Sequence, residues 1–570
     1  MAYSVQYRKR DYLVWSYQRI VRSKFIAECL LLSLLIAIIF LYLNRFFIKS
    51  VSSQIEEINS NNNIIFVIDD IQHANGLQPL YCNLHRKGKV ENVYTHVIVT
   101  GRGISGGELI KSNSLLPDCD VPVYDLVLQK SNENIFMSVV KDIGSALDQI
   151  QPDVLIYIND PKNVAIRGVD AALVAASQKN QIITKIALPI EDAKYMMWLT
   201  ELNLEALKNW NTPNIQVQVI TQNRPQSLTR LMQSLKSSIY FGDNVQLTVN
   251  MDRSADPATI KYCQNFKWSF GKMGIRFRIR QGGLIAAVVE SYYPTTNDDY
   301  AVILEDDIEV SPFYYIWSKY NILKYRYGTD RSLVSRLLGV SLYDSKLNEI
   351  NSTTGRRPYN PAEVLENTKF PNQSPYLSQI PCSWGALFFP EIWREFHIYL
   401  NARLTDLKGP KLQTIIIPES RSNTWPKSWK RFFIELAYLR GYVMLYPNYK
   451  DFVSFTTNYA EFGVHFRVKG KKKDLWLLPL MKEDILLEGL PDGHLPNFED
   501  LPSMDLWGNL VTPQELIRRG RLFQSEISTC PPSELDELTY DPQDLLCANT
   551  VKSEEIEEIE ESPIDKEEKI

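Results

Sequence analysis

Short apolar runs alternate with amphipathic helical stretches along most of the chain, and this alternation limits the fold more than any other feature. Residues 64–69 (IIFVID), 93–101 (VYTHVIVTG) and 153–160 (DVLIYIND) read as buried strands. Residues 137–150 and 168–180 carry apolar positions at helical spacing, and 182–189 (IITKIALP) reads as a further strand. Near-continuous hydrophobic strands separated by helices are the mark of a parallel sheet covered on both faces. We therefore expect a Rossmann-like α/β domain over 63–205. Its glycine-rich segment GRGISGG (101–107) is not a GxGxxG phosphate loop and has no helix pattern directly after it. It reads as a surface turn, with a ligand contact as the alternative.

A second alternation begins at 215. The strand QVQVIT ends in Gln222-Asn223-Arg224-Pro225, and the helical pattern SLTRLMQSLKSS follows. VQLTVNMD (245–252) ends in Asp252. A helical stretch, the strand IRFRIR (275–280) and AAVVESYY (286–293) lead to YAVILEDDIEV (300–310). This unit is expected over 213–470 with a mostly parallel sheet. Past 470 the pattern weakens into a proline-rich stretch, so 471–550 is expected as an irregular C-terminal extension.

At 570 residues the chain has room for about three folding units. Its formal charge of −5 comes from 62 basic and 67 acidic residues. Residues 551–570 alone carry −6, which marks an acidic, solvated tail and leaves the rest close to neutral. No basic field argues for nucleic-acid binding. A mean hydropathy of −0.21 excludes a polytopic membrane protein but allows one span. That span is expected at 25–48, where Phe25 to Leu43 hold a single charge, Glu28. The preceding tail, 1–24, carries Arg8, Lys9, Arg10, Arg19, Arg22 and Lys24 against Asp11, an excess that stays cytoplasmic. Residues 49–62 form a polar stem, and the body beyond is lumenal. The alternative, a cleaved signal peptide, lacks a small-residue cleavage site at Asn44-Arg45-Phe46-Phe47. Six of the seven cysteines follow the span, none in a CxxC pair. The acceptor sequons at Asn351 and Asn372 agree with a lumenal body.

The segment with most chemistry is Glu305-Asp306-Asp307. Four apolar residues run into three carboxylates whose mutual repulsion is of order 1–4 kcal/mol per pair at ~4 Å. A cation offsets that repulsion, and all-oxygen ligands favour Mn2+, Mg2+ or Ca2+ over zinc or copper. Strand alternation places Glu305 and Asp307 on one side and Asp306 on the other. Ligands of α/β sheets bind beyond the carboxyl ends of strands. A solvated strand end is the structural alternative.

TQNRP, then an Asp-ended strand, then VILEDDIEVSP together resemble a nucleotide-sugar glycosyltransferase of the GT-A fold, nearest to the inverting N-acetylglucosaminyltransferase I type. The likeness covers about 215–466 and includes SWGALFFPEIW. The block from RSNTWPKSWKRFF through TNYAEFGVH also resembles a group of plant and fungal glycosyltransferase-like membrane proteins without an assigned activity. The resemblance implies that Asn223 and Arg224 border the uridine and diphosphate and that Asp252 contacts uracil or ribose. It implies that Glu305 and Asp306 orient ribose and sugar, and that Asp307 binds Mn2+ (or Mg2+) held by the diphosphate. The implied partners are a nucleotide diphosphate sugar, a glycan or glycoprotein acceptor and, through one helix, a Golgi or endoplasmic reticulum membrane in type II orientation.

The chain departs from that family where an Asp-Asp-Trp segment supplies the general base. Here the region reads SWKRFFIEL, whose only carboxylate is Glu435. Glu435 is either the base or the i, i+4 partner of Arg431; Asp406 and Glu419 are weaker candidates. Trp384, Trp425 and Trp429 read as sugar platforms or core. His465, Lys469 to Lys473 and the Gly282-Gly283 pair after Arg280 are further ligand candidates, each with a structural reading beside it. Two rival functions remain. One is a degenerate domain that binds glycans or scaffolds Golgi enzymes. The other is a metal-dependent phosphotransferase, for which no P-loop or kinase-like motif is present.

Overall fold

The computed structural model describes residues 62–100, 103–126, 135–405, 415–459, 461, 476–527, 538 and 540–546. The basic tail, the expected span at 25–48, the stem, Asp406, His465, Lys469 to Lys473 and the acidic tail lie outside the described residues. Among the described residues no helix is long and apolar enough to cross a membrane.

Five strands form the first sheet: β1 (Asn63–Ile68), β2 (Tyr94–Val99), β3 (Val123–Asp125), β4 (Val154–Ile158) and β5 (Thr184–Leu188), all parallel, in the order β3-β2-β1-β4-β5. Every residue of β1 and β4 is buried, which is why both read as unbroken apolar runs. Side chains alternate across the pleat. Ile64, Phe66 and Ile68 meet the helix Ile71–Glu91 on one face. Ile65 and Val67 meet helices Ile135–Ile150 and Val164–Gln178 on the other.

Two local features differ from the sequence reading. The 21-residue helix Ile71–Glu91 forms across Gly76 and Pro79, residues that hide its period; Asp70 caps it by accepting from the N–H groups of Gln72 and His73. A helix, Gly106–Asn113, does follow GRGISGG at once, because Ser105 and Glu108 form a capping box. A disulfide between Cys82 and Cys119 ties the long helix to the loop before β3. Cys263 and Cys382 are buried free thiols.

The second sheet begins with β6 (Asn214–Thr221), β7 (Leu247–Met251), β8 (Met273–Phe277) and β9 (Asp299–Glu305), which are mutually parallel. After Asp307 the chain forms β10 (Ile308–Val310), outside this sheet. There follow β11 (Leu337–Ser341), the ribbon β12 (Leu347–Asn348) with β13 (Arg357–Pro358), β14 (Tyr376–Ser378), β15 (Ala386–Phe388), β16 (Val443–Tyr446), β17 (Thr456–Asn458), β18 (Ser503–Met504) and β19 (Leu510–Val511). The ten-stranded order is β19-β18-β14-β16-β11-β15-β9-β6-β7-β8, while β10 pairs with β17. A mostly parallel sheet is thus corrected to a mixed one. β6 to β9 are parallel, but β15 runs antiparallel to both β9 and β11, and β14 antiparallel to β16. The stretch expected as an irregular extension adds β18 and β19 to this sheet, and its helix Pro513–Ile527 packs on helix Trp429–Arg440.

One core runs through both sheets. Trp198 stacks on Trp210 with centroids 5.3 Å apart and joins Ile64 and Phe66 of β1 to Val217 and Val219 of β6 in a single buried cluster.

Candidate functional site

The register of the second sheet gathers the acids. β6 pairs with β9 so that Ile220 faces Glu305, and with β7 so that Thr221 faces Met251. The residues that follow these three strands, Gln222 to Arg224, Asp252 and Asp306 with Asp307, therefore emerge along one sheet edge. The chain winds from β6 outward through β7 to β8 and then returns to β9 on the other side of β6. That reversal opens a crevice at the strand ends, where ligands of such sheets bind.

Glu305 and Asp307 are partly exposed, whereas Asp306 is fully buried, as strand alternation predicts. Thr221 Oγ1 donates to Asp306 Oδ2 at 2.7 Å, and the Asp306 N–H reaches Ile220 O at 3.1 Å. Arg224, preceding the Pro225 that opens helix Pro225–Lys236, places Nη2 2.6 Å from Asp306 Oδ1 as an ion pair. Its Nη1 lies 3.5 Å from Asp307 Oδ2. Asn458 of β17 donates to Asp307 Oδ1 at 3.3 Å, and the Tyr459 N–H donates to the Asp307 carbonyl at 3.0 Å.

One arginine does not balance three carboxylates. Burial, then repulsion from Asp307 and Asp306, pushes Glu305 up to about 8. Burial pushes Asp306 up to about 6 despite Arg224 and Thr221, and it raises Asp307 in the same direction. Burial is the first cause of all three shifts, so these carboxylates are costly to keep charged where they stand. Asp307, which meets the Asn458 amide and the edge of the Arg224 guanidinium, has further oxygen lone pairs suited to a hard divalent ion.

Most of the expected donor residues come together here. Asn223 is exposed at the crevice rim. The Asp252 N–H bonds Thr221 O at 3.3 Å, and its Oδ1 accepts from the Arg253 N–H at 2.7 Å. Sequence reasoning missed Thr221, Asn458 and a flanking pair, Arg230 with Glu461 at 3.2 Å, in which the Arg230 guanidinium lies 3.6 Å over the Tyr459 ring. The apolar-to-acid pattern drew attention to the triplet, whereas these partners arrive from distant segments. Gln281 and its glycine neighbours follow β8 on the same side, with Gly283 at φ +68 opening a short helix.

Glu435 is elsewhere. It is fully buried on helix Trp429–Arg440, where Arg403 Nε and Tyr399 OH each approach Oε2 at 3.1 Å and Arg431 Nε approaches Oε1 at 3.2 Å. Among the described residues no hydrogen bond or ion pair links it to the triplet. This is the Arg431 pairing weighed as the structural alternative, with Arg403 and Tyr399 added to it. Glu419 is exposed. Trp429 lies in a buried ring cluster with Phe388, Trp393 and Phe433. Trp384 instead borders a narrow pocket of about 30 Å3 with Tyr343, Tyr359, Tyr376, Tyr446 and Lys430. Trp384 O accepts from Thr456 Oγ1 at 2.7 Å, which ties its backbone to β17.

Two family models match the chain: the SPBC1E8.03c N-terminal domain over residues 48–210 and the SPBC1E8.03c C-terminal domain over 226–408. No curated protein matches it. Among solved structures it is similar to the mannosyltransferase PcManGT from Pyrobaculum calidifontis in complex with GDP-Man and Mn2+, at 12% identity and a TM-score of 0.23, over 35% of this chain and 51% of that one. It is similar to GalNAc-T7 with UDP, GalNAc and Mn2+ at 16% identity and a TM-score of 0.28, over 42% of this chain and 43% of that one. TarS of S. aureus in complex with UDP-GlcNAc matches at 13% identity and a TM-score of 0.26, over 46% and 63%. Scores this low assign neither fold nor activity.

Proposed function

We propose that the chain is a metal-dependent glycosyltransferase, anchored through residues 25–48 with its body in the lumen of the Golgi or endoplasmic reticulum. One observation carries the reading: Arg224 meets Asp306 and Asp307 beside Glu305 where the order of the second sheet reverses, three carboxylates against one arginine, with Asp252 at the end of the neighbouring strand. The likeness of TQNRP and VILEDDIEVSP to nucleotide-sugar transferases supports it.

On this reading Asp307 holds Mn2+ or Mg2+, and such an ion supplies positive charge to the leaving diphosphate. Arg224 binds phosphate oxygens while its other nitrogen stays on Asp306, which fixes the guanidinium plane. Asp252 and Glu305 accept from ribose and sugar hydroxyls, and Asn223 borders the uridine. An acceptor hydroxyl oxygen bonds to the sugar carbon, the bond from that carbon to the diphosphate breaks with its electron pair leaving on the diphosphate, and the hydroxyl proton passes to a base.

The satisfied state of Glu435 favours a second reading, in which the site binds nucleotide sugar without transfer. Incubating the full-length protein with Mn2+, a panel of UDP- and GDP-sugars and mixed oligosaccharide acceptors separates the two. Transfer, seen by mass spectrometry as an acceptor one sugar heavier, is the expected result. Nucleotide binding without any product selects the second reading.

A further inference from the structure

The first sheet carries its own cluster of metal-ligating side chains. β1 is flanked by β2 and β4, and the chain crosses from one side to the other between β3 and β4. The crevice this reversal makes lies beyond the carboxyl ends of β1 and β4. Asp69 and Asp70 leave β1 into it, and His73 follows one helical turn later. One ligand atom from each of Asp69, Asp70 and His73 lies within 4.8 Å of the others.

A cluster of acids alone has ordinary explanations, and two are visible. Asp70 Oδ1 caps the helix, accepting from the N–H groups of Gln72 at 2.8 Å and His73 at 2.9 Å. Asp69 accepts from Thr100 Oγ1 and from Asn163 Nδ2, one on each carboxylate oxygen. His73 has no such explanation. Its side chain is only 6% exposed, its Nδ1 is buried with no partner among the described residues, and its Nε2 stands 3.8 Å from Asp70 Oδ2, beyond hydrogen-bond reach. A buried imidazole without a hydrogen bond is uncommon in a folded protein and calls for a ligand.

We propose that Asp69, Asp70 and His73 form a divalent transition-metal site at the strand-order reversal of the first sheet. The donors fit. Each Asp69 oxygen has a second lone pair, Asp70 Oδ2 is not used by the cap, and a neutral imidazole is a common ligand of zinc, cobalt and manganese. The positive end of the helix contributes about half a charge, which two carboxylates outweigh. Gly103 closes one side: a Cβ there would lie 2.7 Å from that of Asp70, so only glycine lets the backbone pass so near. Asp70, 38% exposed, gives the entry from solvent. Three protein ligands leave positions open for water or a substrate oxygen.

The test is calorimetric titration of chelator-stripped full-length protein with ZnCl2, repeated with CoCl2 while recording visible absorption. The variants are Asp70→Asn, which keeps the cap because asparagine accepts the same N–H bonds, His73→Gln, and Asp307→Asn. The expected result is one zinc site per chain, retained in Asp307→Asn and weakened at least tenfold in both Asp70→Asn and His73→Gln, with the ligand-field bands of bound cobalt reduced in parallel. The proposal is overturned if wild type binds no zinc, if Asp70→Asn and His73→Gln bind as wild type does, or if Asp307→Asn alone removes the binding.

Discussion

The two sheets are wound alike and defended differently. In each, the chain leaves a first strand on one side and returns on the other, so that β1 lies between β2 and β4 as β6 lies between β7 and β9. In each, carboxylates collect at that reversal, and a residue from across it meets them. At the first sheet the acid follows the first strand and its partners, Thr100 and Asn163, are neutral. At the second sheet the acids follow the returning strand and the partner is charged, Arg224. Among the described residues no lysine or arginine pairs with Asp69 or Asp70. Neutral donors leave a carboxylate its charge, so the first crevice suits a bare cation. An arginine beside carboxylates suits a ligand that brings a cation and an anion together, as a metal-bound diphosphate does.

Breaking the arginine should therefore cost more than breaking a neutral donor. Removing Glu435, which stands in neither crevice, sets the upper reference. Glu435→Gln removes a fully buried charge that pairs with the partly buried Arg403 and Arg431 and should cost about 3–4 kcal/mol in denaturant unfolding, with nucleotide affinity unchanged. A large loss of nucleotide binding there would return Glu435 to the site. Arg224→Ala leaves Asp306 fully buried without its cation and should cost about 3 kcal/mol, reduced somewhat because Arg224 itself is 30% exposed. Asn163→Ala should cost about 1–2 kcal/mol by the same measurement. Equal losses for Arg224→Ala and Asn163→Ala would break the comparison.

What the sequence reveals depends on how local each feature is. The triplet was legible because an unbroken apolar run from Ala301 to Leu304 has to end where acids begin, and alternation alone assigned Asp306 to the opposite face. The parallel cores β1, β4, β6 and β9 were legible for the same reason. The outer half of the second sheet was not, because β14, β15, β18 and β19 hold two or three residues each and carry no period. The Asp69 cluster was missed because His73 sits in a helix interrupted by Gly76 and Pro79, and because Thr100 and Asn163 reach Asp69 from 31 and 94 residues away. The Arg403 partner of Glu435 was not legible either, because it comes from 32 residues upstream.

Smaller effects sharpen the comparison further. Thr221→Val and Thr100→Val each remove a hydroxyl from a buried aspartate and should cost about 1–2 kcal/mol. The Thr100→Val loss should shrink when zinc is present, the Thr221→Val loss should not, and thermal unfolding with and without ZnCl2 reads both. The smallest effect is a pH dependence. Burial holds His96 on β2, helped by nearby His85, and His397 on helix Pro390–Thr405 below the usual 6.5. An unfolded chain takes up those protons first, so the two histidines' contribution should be full above about 6.5 and be lost as the pH falls through the lowered values, while the raised Glu305 and Asp306 act in the opposite direction. Between pH 7.5 and 5, urea midpoints should lose less toward acid, stepwise, in His96→Gln and in the double variant with His397→Gln than in wild type. A decline that is identical in all three proteins would assign it to other groups.

The central claim is that the carboxylates after β9 hold a metal that holds a nucleotide. Titrating the full-length protein with UDP, with and without Mn2+, beside Asp307→Asn, tests it most directly. The account predicts binding that requires Mn2+ and weakens at least a hundredfold in Asp307→Asn while the variant stays folded. UDP binding of equal strength with and without Mn2+, unchanged in the variant, or no binding under either condition, would contradict it.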